Sequence, residues 1–214
     1  MHIYLYLYLN FPTRMEGSIL SPALEALDHV ISEEGKILTK PFLDVCKTVL
    51  PILDKFGGAF SFVKSDIGGN IARLETQYDS DSLEYKFLHS MIQKEVETKT
   101  ERIQSSCTNS LLWLSRSMDY TVQLFKNLQE HKDWSMKHVC RDSYDKTFKK
   151  WHNWLASSTF NVGLKLVPDR KSFMEAIGTG DLSSDIVKFC DSFSLVLAEN
   201  HKVLASVNMD NRKF

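Results

Sequence analysis

The sequence lacks the features that would place it among several large classes of protein. Its four cysteines, in 214 residues, have neither Cys-x-x-Cys spacing nor the density of a disulfide scaffold. We therefore expect a reduced, intracellular setting. Cys46 and Cys190 lie among apolar residues in helical patterns, where a free cysteine usually behaves as a small buried hydrophobe.

An excess of charge of one sign is also missing. The 26 basic and 27 acidic residues leave a formal net charge of -1. Such a balance gives no long-range field to gather nucleic acid or a strongly anionic membrane. We expect no nucleic-acid partner, and any contact with a membrane must be local.

No segment predicts a signal peptide or a membrane span. Residues 1–10, MHIYLYLYLN, lack a positive n-region, a long apolar run and a small-residue cleavage site. We interpret residues 1–14 as an N-terminal extension that is poorly ordered or absent from the native protein, since Met15 offers a second start. An edge strand or a sticky, partly disordered tail is the alternative.

Signatures of the common enzymes are absent as well. There is no Gly-x-Ser-x-Gly elbow, phosphate-cradling glycine loop, His-Glu-x-x-His motif or dinucleotide fingerprint. Asp66 and His152 could pair, but the sequence indicates no nucleophile beside them. We predict a protein that is not an enzyme and has no cofactor or metal site, with an acyl hydrolase as the alternative.

What the chain does contain is a succession of helix signals, with hardly any strand signals after residue 15. Apolar residues recur three or four positions apart, as they do along one face of a helix. Helices are predicted to begin near Ser21, Thr39, Ser61, Asp81, Ser105, Cys140, just after Pro168, and at Asp181 or Ser183. Pro51 should kink the second helix and Gly57-Gly58 should end it. The pattern predicts one all-α domain of seven or eight helices over residues 15–214.

One predicted helix carries three polar side chains on one face. At about 100° per residue, Asp66, Asn70 and Arg73 fall within a sector of roughly 60°. Each side chain has an ordinary alternative, since Asp66 could cap a helix and Arg73 could pair with Glu75 or Glu84.

Glycines and aromatic residues give this polar face a possible partner. Gly68 and Gly69 each cost roughly 1 kcal/mol relative to alanine in a helix, so we expect a backbone or a ligand to approach there. Trp113 offers a flat apolar face suited to the C–H face of a sugar ring, whose hydroxyls need polar partners. Ordinary core packing is the alternative for Trp113 and for His152.

Together these segments resemble the glycolipid transfer protein family, and its plant branch in particular. KSDIGGNIARLE resembles the family's Asp-x-x-x-Asn-x-x-Lys/Arg headgroup motif, with Arg73 where animal members commonly have lysine. LLWLSRSM resembles the segment of the sugar-stacking tryptophan, and KKWHNWL resembles that of the ligand histidine. The similarity runs from about Met15 to the C-terminus in a consistent order.

The resemblance implies a two-layer helical sandwich of about eight helices that holds one sphingolipid. Asp66 and Asn70 would hydrogen-bond the sugar, and Asp66 also the ceramide amide N–H. Arg73 would bond sugar hydroxyls, Trp113 would stack on the ring, and His152 would bond the ceramide amide group. The lipid chains would lie between the helix layers.

Carrying two lipid chains requires a closed apolar sleeve, because each CH₂ moved out of water is worth about 0.8 kcal/mol. Our candidates for its lining, with ordinary core packing as the alternative, are Ile52, Leu53, Tyr120, Leu124, Phe148, Phe160 and Phe193.

The resemblance also implies a headgroup. Relatives that carry ceramide-1-phosphate look as though arginines replace the stacking tryptophan and the residue one turn earlier, which suits a phosphate dianion. This chain has Trp113 and Asn109 at those positions. A single hexose such as glucose is therefore favoured, and ceramide-1-phosphate is the alternative.

Membrane docking is the other implied activity. Trp154 matches a family position that contacts the bilayer interface, with Lys149, Lys150 and Lys165 nearby, and half-buried scaffold is its alternative role. Segment PILDKF lacks the paired phenylalanines with which animal relatives look as though they dock a receptor of the endoplasmic reticulum, so we do not expect that partner. The C-terminus has no tyrosine for a tail contact with the amide-binding site.

The whole resemblance implies a cytosolic, monomeric carrier that moves a glucosylceramide-like lipid between membranes and touches their surfaces transiently. A sphingolipid-sensing interaction module without useful transfer is the alternative.

Overall fold

The computed structural model describes residues 18–56 and 58–213, whose regular secondary structure is helical, with two isolated β-bridges in the connections. The helices are α1 Ser21–Asp28, α2 Thr39–Lys47, α3 Val49–Asp54, α4 Ser61–Ser80, α5 Leu88–Thr98, α6 Cys107–Glu130, α7 Met136–Lys146, α8 Trp154–Gly163, α9 Arg170–Ile177 and α10 Ser183–Ser206. Short 3-10 turns occupy Gly58–Phe60 and Leu164–Leu166. The predicted extension over residues 1–14 lies outside the described residues.

Pro51 divides the predicted second helix instead of kinking it. Helix α2 ends at Lys47 and α3 begins at Val49. Pro51 has no N–H to donate to the carbonyl of Lys47, four residues earlier, so the helical hydrogen bonds are interrupted there. Helix α3 ends at Asp54, ahead of the predicted stop at Gly57-Gly58, and Gly57 lies outside the described residues.

The predicted fourth helix begins later than expected. The Asp81 carboxylate accepts hydrogen bonds from the backbone N–H groups of Leu83 and Glu84, at 3.1 and 2.9 Å. These bonds stabilise a turn after α4, and the next helix, α5, starts only at Leu88. Aspartate favours such turns as readily as helix starts, which is why the sequence signal was ambiguous.

The helix predicted over residues 140–166 is in fact two. Helix α7 ends at Lys146, and the Asn153 side chain caps α8 by accepting a hydrogen bond of 3.0 Å from the N–H of Ala156. Between them, the N–H of His152 donates to the carbonyl of Phe148 at 3.1 Å. His152 therefore lies in a helix connection and not on an apolar helix face.

Helix α6 lies at the centre of the fold, in contact with α4, α5, α7 and α10. Its predicted apolar stripe is buried, as expected for a helix with neighbours on more than one side. The stripe consists of Leu111, Leu114, Met118, Val122 and Phe125. Within residues 18–56 and 58–213, no helix combines the length and apolar character needed to cross a membrane.

Candidate functional site

The polar face of α4 is directed toward α6. Nη1 of Arg73 donates hydrogen bonds to Oδ1 of Asn70, at 3.2 Å, and to the hydroxyl of Ser110, at 2.8 Å. Glu75 and Glu84 pair with other residues, Lys47 and Lys94 respectively. The alternative of a simple surface ion pair for Arg73 is therefore not what the structure shows.

Asp66 lies one turn before Asn70 on the same helix. It is well inside α4, which begins at Ser61, so it does not act as the N-cap. The side chain is exposed to solvent, so it is accessible to a ligand. Desolvation by the surrounding protein raises the pKa of its carboxyl group, and the positive charge of Arg73 opposes that rise.

The two glycines of α4 do not face a close neighbour. A Cβ atom added to Gly68 or Gly69 would meet no atom within 4 Å. The expectation that a protein backbone packs against them is therefore wrong, and approach by a ligand stays a prediction. Gly68 lines a surface cavity of about 560 Å³, together with Leu50, Leu53 and Phe60.

Trp113 and His152 lie side by side, although they are 39 positions apart in the sequence. Their ring centroids are 6.3 Å apart, with an angle of 32° between the planes. Both side chains are partly buried, whereas the neighbours of Trp113 on α6, Leu112 and Leu114, are fully buried. Trp113 thus keeps part of its surface available, which full core packing would remove.

The imidazole of His152 is held by two neighbours. Nδ1 lies 3.3 Å from the hydroxyl of Tyr144, and the ring stacks on Phe148 with a centroid distance of 4.7 Å. Burial lowers the pKa of His152, and the positive charge of Arg116 lowers it further. A neutral imidazole has one donor and one acceptor nitrogen, which suits a ligand amide.

Arg116, which the sequence analysis missed, contacts Trp113 and acts electrostatically on His152. Its guanidinium carbon is 4.8 Å from the centre of the Trp113 ring and 3.8 Å from that of Trp151. Nη2 and Nη1 donate to the backbone carbonyls of Asp210, at 2.6 Å, and Arg212, at 2.8 Å. The one signal in the sequence was a charged residue inside the apolar segment LLWLSRSM.

Three of the seven proposed sleeve residues cluster beside His152. Tyr120 lies 5.9 Å from Phe148 and 6.4 Å from Phe160, measured between ring centroids. Phe160 also stacks on Tyr144 at 3.8 Å. These rings form a continuous apolar surface that begins at the histidine.

The other four are distributed elsewhere. Leu53 lines the 560 Å³ cavity next to α4. Ile52, Leu124 and Phe193 are buried in the main core, where Phe193 packs on Phe189 at 5.5 Å. A role in the sleeve stays a prediction for these residues.

An apolar patch occupies the surface of α8 and the turn after it. We call Trp154, Leu155, Val162 and Leu166 the α8 patch; their exposed fractions are 80%, 64%, 60% and 59%. So high a value for Trp154 excludes the alternative of half-buried scaffold. Lys149 pairs with Asp145 at 2.9 Å, and Nζ of Lys150 lies 4.6 Å from the centre of the Trp151 ring.

Comparisons with known proteins show which family the chain resembles. The family model described as Glycolipid transfer protein (GLTP) matches residues 37–179. Glycolipid transfer protein 1 of Arabidopsis thaliana is 56% identical over 200 residues, which cover 93% of this chain and 99% of that protein.

Two solved structures share the fold at low identity. A FAPP2 structure, described as selecting simple glycosphingolipids using the GLTP-fold, has a TM-score of 0.86 at 22% identity and covers 92% of this chain and 100% of its own. Mouse ceramide-1-phosphate transfer protein has a TM-score of 0.81 at 21% identity, covering 91% and 98%. The predicted two-layer helical sandwich is confirmed, with ten α-helices in the described residues instead of about eight.

The structural likenesses, at such low identity, show the fold alone. The family match and the Arabidopsis relative show more, because they extend over most of the chain. They also confirm the expectation that the protein is not an enzyme. The chain belongs to the glycolipid transfer protein family.

Proposed function

We propose that this protein carries a sphingolipid with a single sugar headgroup, such as glucosylceramide, between membranes. The observation that best supports this is the partly exposed Trp113 indole beside His152, one helical turn from the Ser110 hydroxyl to which Arg73 donates. A flat apolar face, an amide-binding group and sugar-binding polar groups then belong to one site.

Each polar group has a distinct part in the proposed complex. Asp66 and Asn70 bond sugar hydroxyls, and Asp66 also accepts from the ceramide amide N–H. Arg73 donates to further hydroxyls, and Trp113 stacks on the sugar ring. The neutral imidazole of His152 bonds the ceramide amide group.

The choice of a sugar over a phosphate depends on side chains, since the fold occurs in proteins named for either kind of lipid. A phosphate dianion is best bound by arginines that face it. One turn before Trp113, Asn109 is neutral and donates to the carbonyl of Gln104 at 2.9 Å. One turn after it, both terminal nitrogens of Arg116 donate to backbone carbonyls. Arg73 alone supplies a cation to the polar face of α4, which favours a neutral sugar.

The lipid chains leave the headgroup site along the rings of Tyr120, Phe148 and Phe160. These residues are partly buried and begin beside His152, at the level of the ceramide amide. Burying a chain of about fifteen CH₂ groups at about 0.8 kcal/mol each offsets the loss of the membrane environment. A sleeve that begins at the amide would accept the chains directly.

The α8 patch is the proposed membrane contact. An exposed tryptophan surrounded by aliphatic residues suits the interface between lipid headgroups and acyl chains. The patch follows His152 by only two residues, so docking would bring the headgroup site to the membrane surface. Lys149 and Lys150 have a lesser part, because both already contact neighbouring side chains. We propose a cytosolic monomer that touches membranes transiently.

Transfer between vesicles tests the proposal. Donor vesicles would contain a fluorescent glucosylceramide or a fluorescent ceramide-1-phosphate, and the rate of transfer to acceptor vesicles would be compared at equal protein concentration. We expect transfer of the glucosylceramide to be faster by about tenfold or more, which corresponds to roughly 1.4 kcal/mol of selectivity. Faster movement of the phosphate lipid would overturn the sugar proposal. Binding without net transfer would favour a sensing module.

A further inference from the structure

Arg116 is a charged residue that is almost completely buried and contacts both aromatic rings and distant backbone carbonyls. Only 2% of its surface is exposed, although it carries a charge near the middle of α6. Its planar guanidinium contacts two indoles, those of Trp113 and Trp151, and its two terminal nitrogens reach carbonyls more than 90 positions away. Burial lowers its pKa to about 10, so it stays charged at neutral pH.

The carbonyls that Arg116 needs belong to a C-terminal segment, residues 208–213, which is fastened to the body of the protein. The Met209 side chain is fully buried. The Asp210 carboxylate lies 2.6 Å from Nδ1 of His201, whose Nε2 lies 2.8 Å from the carboxylate of Asp119 on α6. Arg212 donates to the carbonyl of Arg102 at 2.9 Å. The segment is therefore held on both sides of Arg116.

The geometry limits the position of the Trp113 ring. A guanidinium attracts an aromatic face, more strongly when water is excluded, and two backbone carbonyls fix its plane here. If Arg116 lost these carbonyls, its buried N–H groups would have no acceptor and only the charges of Asp119 and Asp210 would offset its own, so a shift of the guanidinium is unfavourable. The second indole, Trp151, directly precedes His152 in the chain. Arg116 thus contacts both the proposed stacking residue and the residue that precedes His152.

We propose that Arg116 is a positioning residue for sugar recognition: the C-terminal segment holds its guanidinium against Trp113, and this contact fixes the indole on which the sugar stacks. The inference rests on the proposed function, because it assumes that Trp113 is the stacking surface. It also assigns a role to the C-terminus that needs no tyrosine, since backbone carbonyls make the contact.

A double-mutant cycle tests the coupling between Arg116 and Trp113. The affinity for glucosylceramide in vesicles would be measured for Arg116→Lys, Trp113→Ala and the double variant, together with thermal stability. Lysine keeps the charge but has neither the planar face nor the paired donors. We expect Arg116→Lys to lower the affinity about five- to tenfold in the wild-type background and less than about twofold in the Trp113→Ala background.

Arg170→Lys is the matched control. Arg170 also donates to backbone carbonyls, those of Leu128, His131 and Trp134, but at the other end of α6 from Trp113. It should lower thermal stability and leave the affinity for glucosylceramide within about twofold, because it does not contact the proposed site. A purely structural role for Arg116 predicts the same behaviour for both lysine variants.

A milder variant covers the case in which Arg116→Lys does not fold. Asp210→Asn weakens the contact with His201 and loosens the segment without removing the buried cation. We expect it to lower the affinity about two- to threefold, again only while Trp113 is present. If the wild type does not bind glucosylceramide, the proposed function is wrong. If the wild type binds it and Trp113→Ala leaves the affinity unchanged, Trp113 is not the stacking surface and this inference is wrong while the carrier function stands. Two other results would overturn only this inference. In the first, Trp113→Ala lowers the affinity, but Arg116→Lys and Asp210→Asn lower it as much in the Trp113→Ala background as in the wild type. In the second, Arg116→Lys and Asp210→Asn leave the affinity unchanged in both backgrounds.

Discussion

Arg73 and Ser110 are joined by a hydrogen bond of 2.8 Å, which links the polar face of α4 to the helix that carries Trp113. Ser110 lies three residues before Trp113, so the bond joins the two helices at the proposed headgroup site. It also leaves Arg73 with further N–H groups for a ligand, since a guanidinium has five donors.

Substitutions of Arg73 should show whether binding of the sugar requires a guanidinium or only a hydrogen-bond donor at this position. Arg73→Ala removes every donor and should lower the affinity for glucosylceramide about tenfold, whereas Arg73→Lys should cost no more than about threefold. Lys94→Ala, which breaks an exposed ion pair with Glu84, is the control and should have no effect. Equal affinity of Arg73→Ala and wild type would exclude Arg73 from the headgroup site.

Removal of the Trp113 indole should abolish most sugar binding. We expect Trp113→Ala to lower the rate of glucosylceramide transfer about tenfold or more, while the far-UV circular dichroism of the helices persists. Trp134→Ala is the matched control, because Trp134 is also partly buried but stacks between His131 and His138, at 3.7 and 4.1 Å. A transfer rate that survives in Trp113→Ala would make Trp113 an ordinary packing residue.

His152 should stay neutral under conditions in which ordinary histidines begin to protonate. Burial and the Arg116 charge hold its pKa below the ordinary 6.5. Glucosylceramide binding should therefore be constant from pH 8 down to that value and weaken only at lower pH, as the imidazole loses its acceptor nitrogen. An NMR titration of the His152 ring would locate its pKa, and Arg116→Met should raise it. A pKa above the ordinary value would contradict the electrostatic argument.

The C-terminal segment should loosen as the pH rises. Burial lowers the pKa of His201, but hydrogen bonds and charge from Asp119 and Asp210 outweigh it, so the pKa is raised from 6.5. The protonated ring is favoured in the folded state, and this stabilisation is complete below the ordinary pKa and lost as pH rises through the raised one. Thermal unfolding of wild type and His201→Gln between pH 6 and 9 should show a difference that shrinks with pH. A constant difference would contradict the prediction.

The α8 patch should control attachment to vesicles more than lysines do. Trp154→Ala and Leu155→Ala together should weaken vesicle binding about thirtyfold or more, since each removes exposed apolar surface worth about 1 kcal/mol or more on insertion. Leu195→Ala is the control, because Leu195 is 75% exposed but belongs to α10. Lys149→Ala and Lys150→Ala should have smaller effects at physiological salt. Equal losses from the Leu195 control would contradict a specific docking surface.

Much of the fold follows from local patterns, and the exceptions have local causes too. The apolar stripe of α6 and the start of α9 after Pro168 were predictable because helix periodicity and proline act over a few residues. The prediction that a helix begins at Asp81 was wrong because an aspartate side chain stabilises turns as well as helix starts. The break before His152 was missed because Tyr144, Phe148, Trp151 and Leu155 continue a helical spacing across a segment that is not helical.

Within the candidate site, helix periodicity is enough to predict that Asp66, Asn70 and Arg73 share one face of α4. The packing of separate helices is what brings Arg73 to Ser110, places His152 beside Trp113, and directs Arg116 to carbonyls 94 and 96 positions further along the chain. Such contacts depend on how separate helices pack, and no periodicity within one segment contains that information.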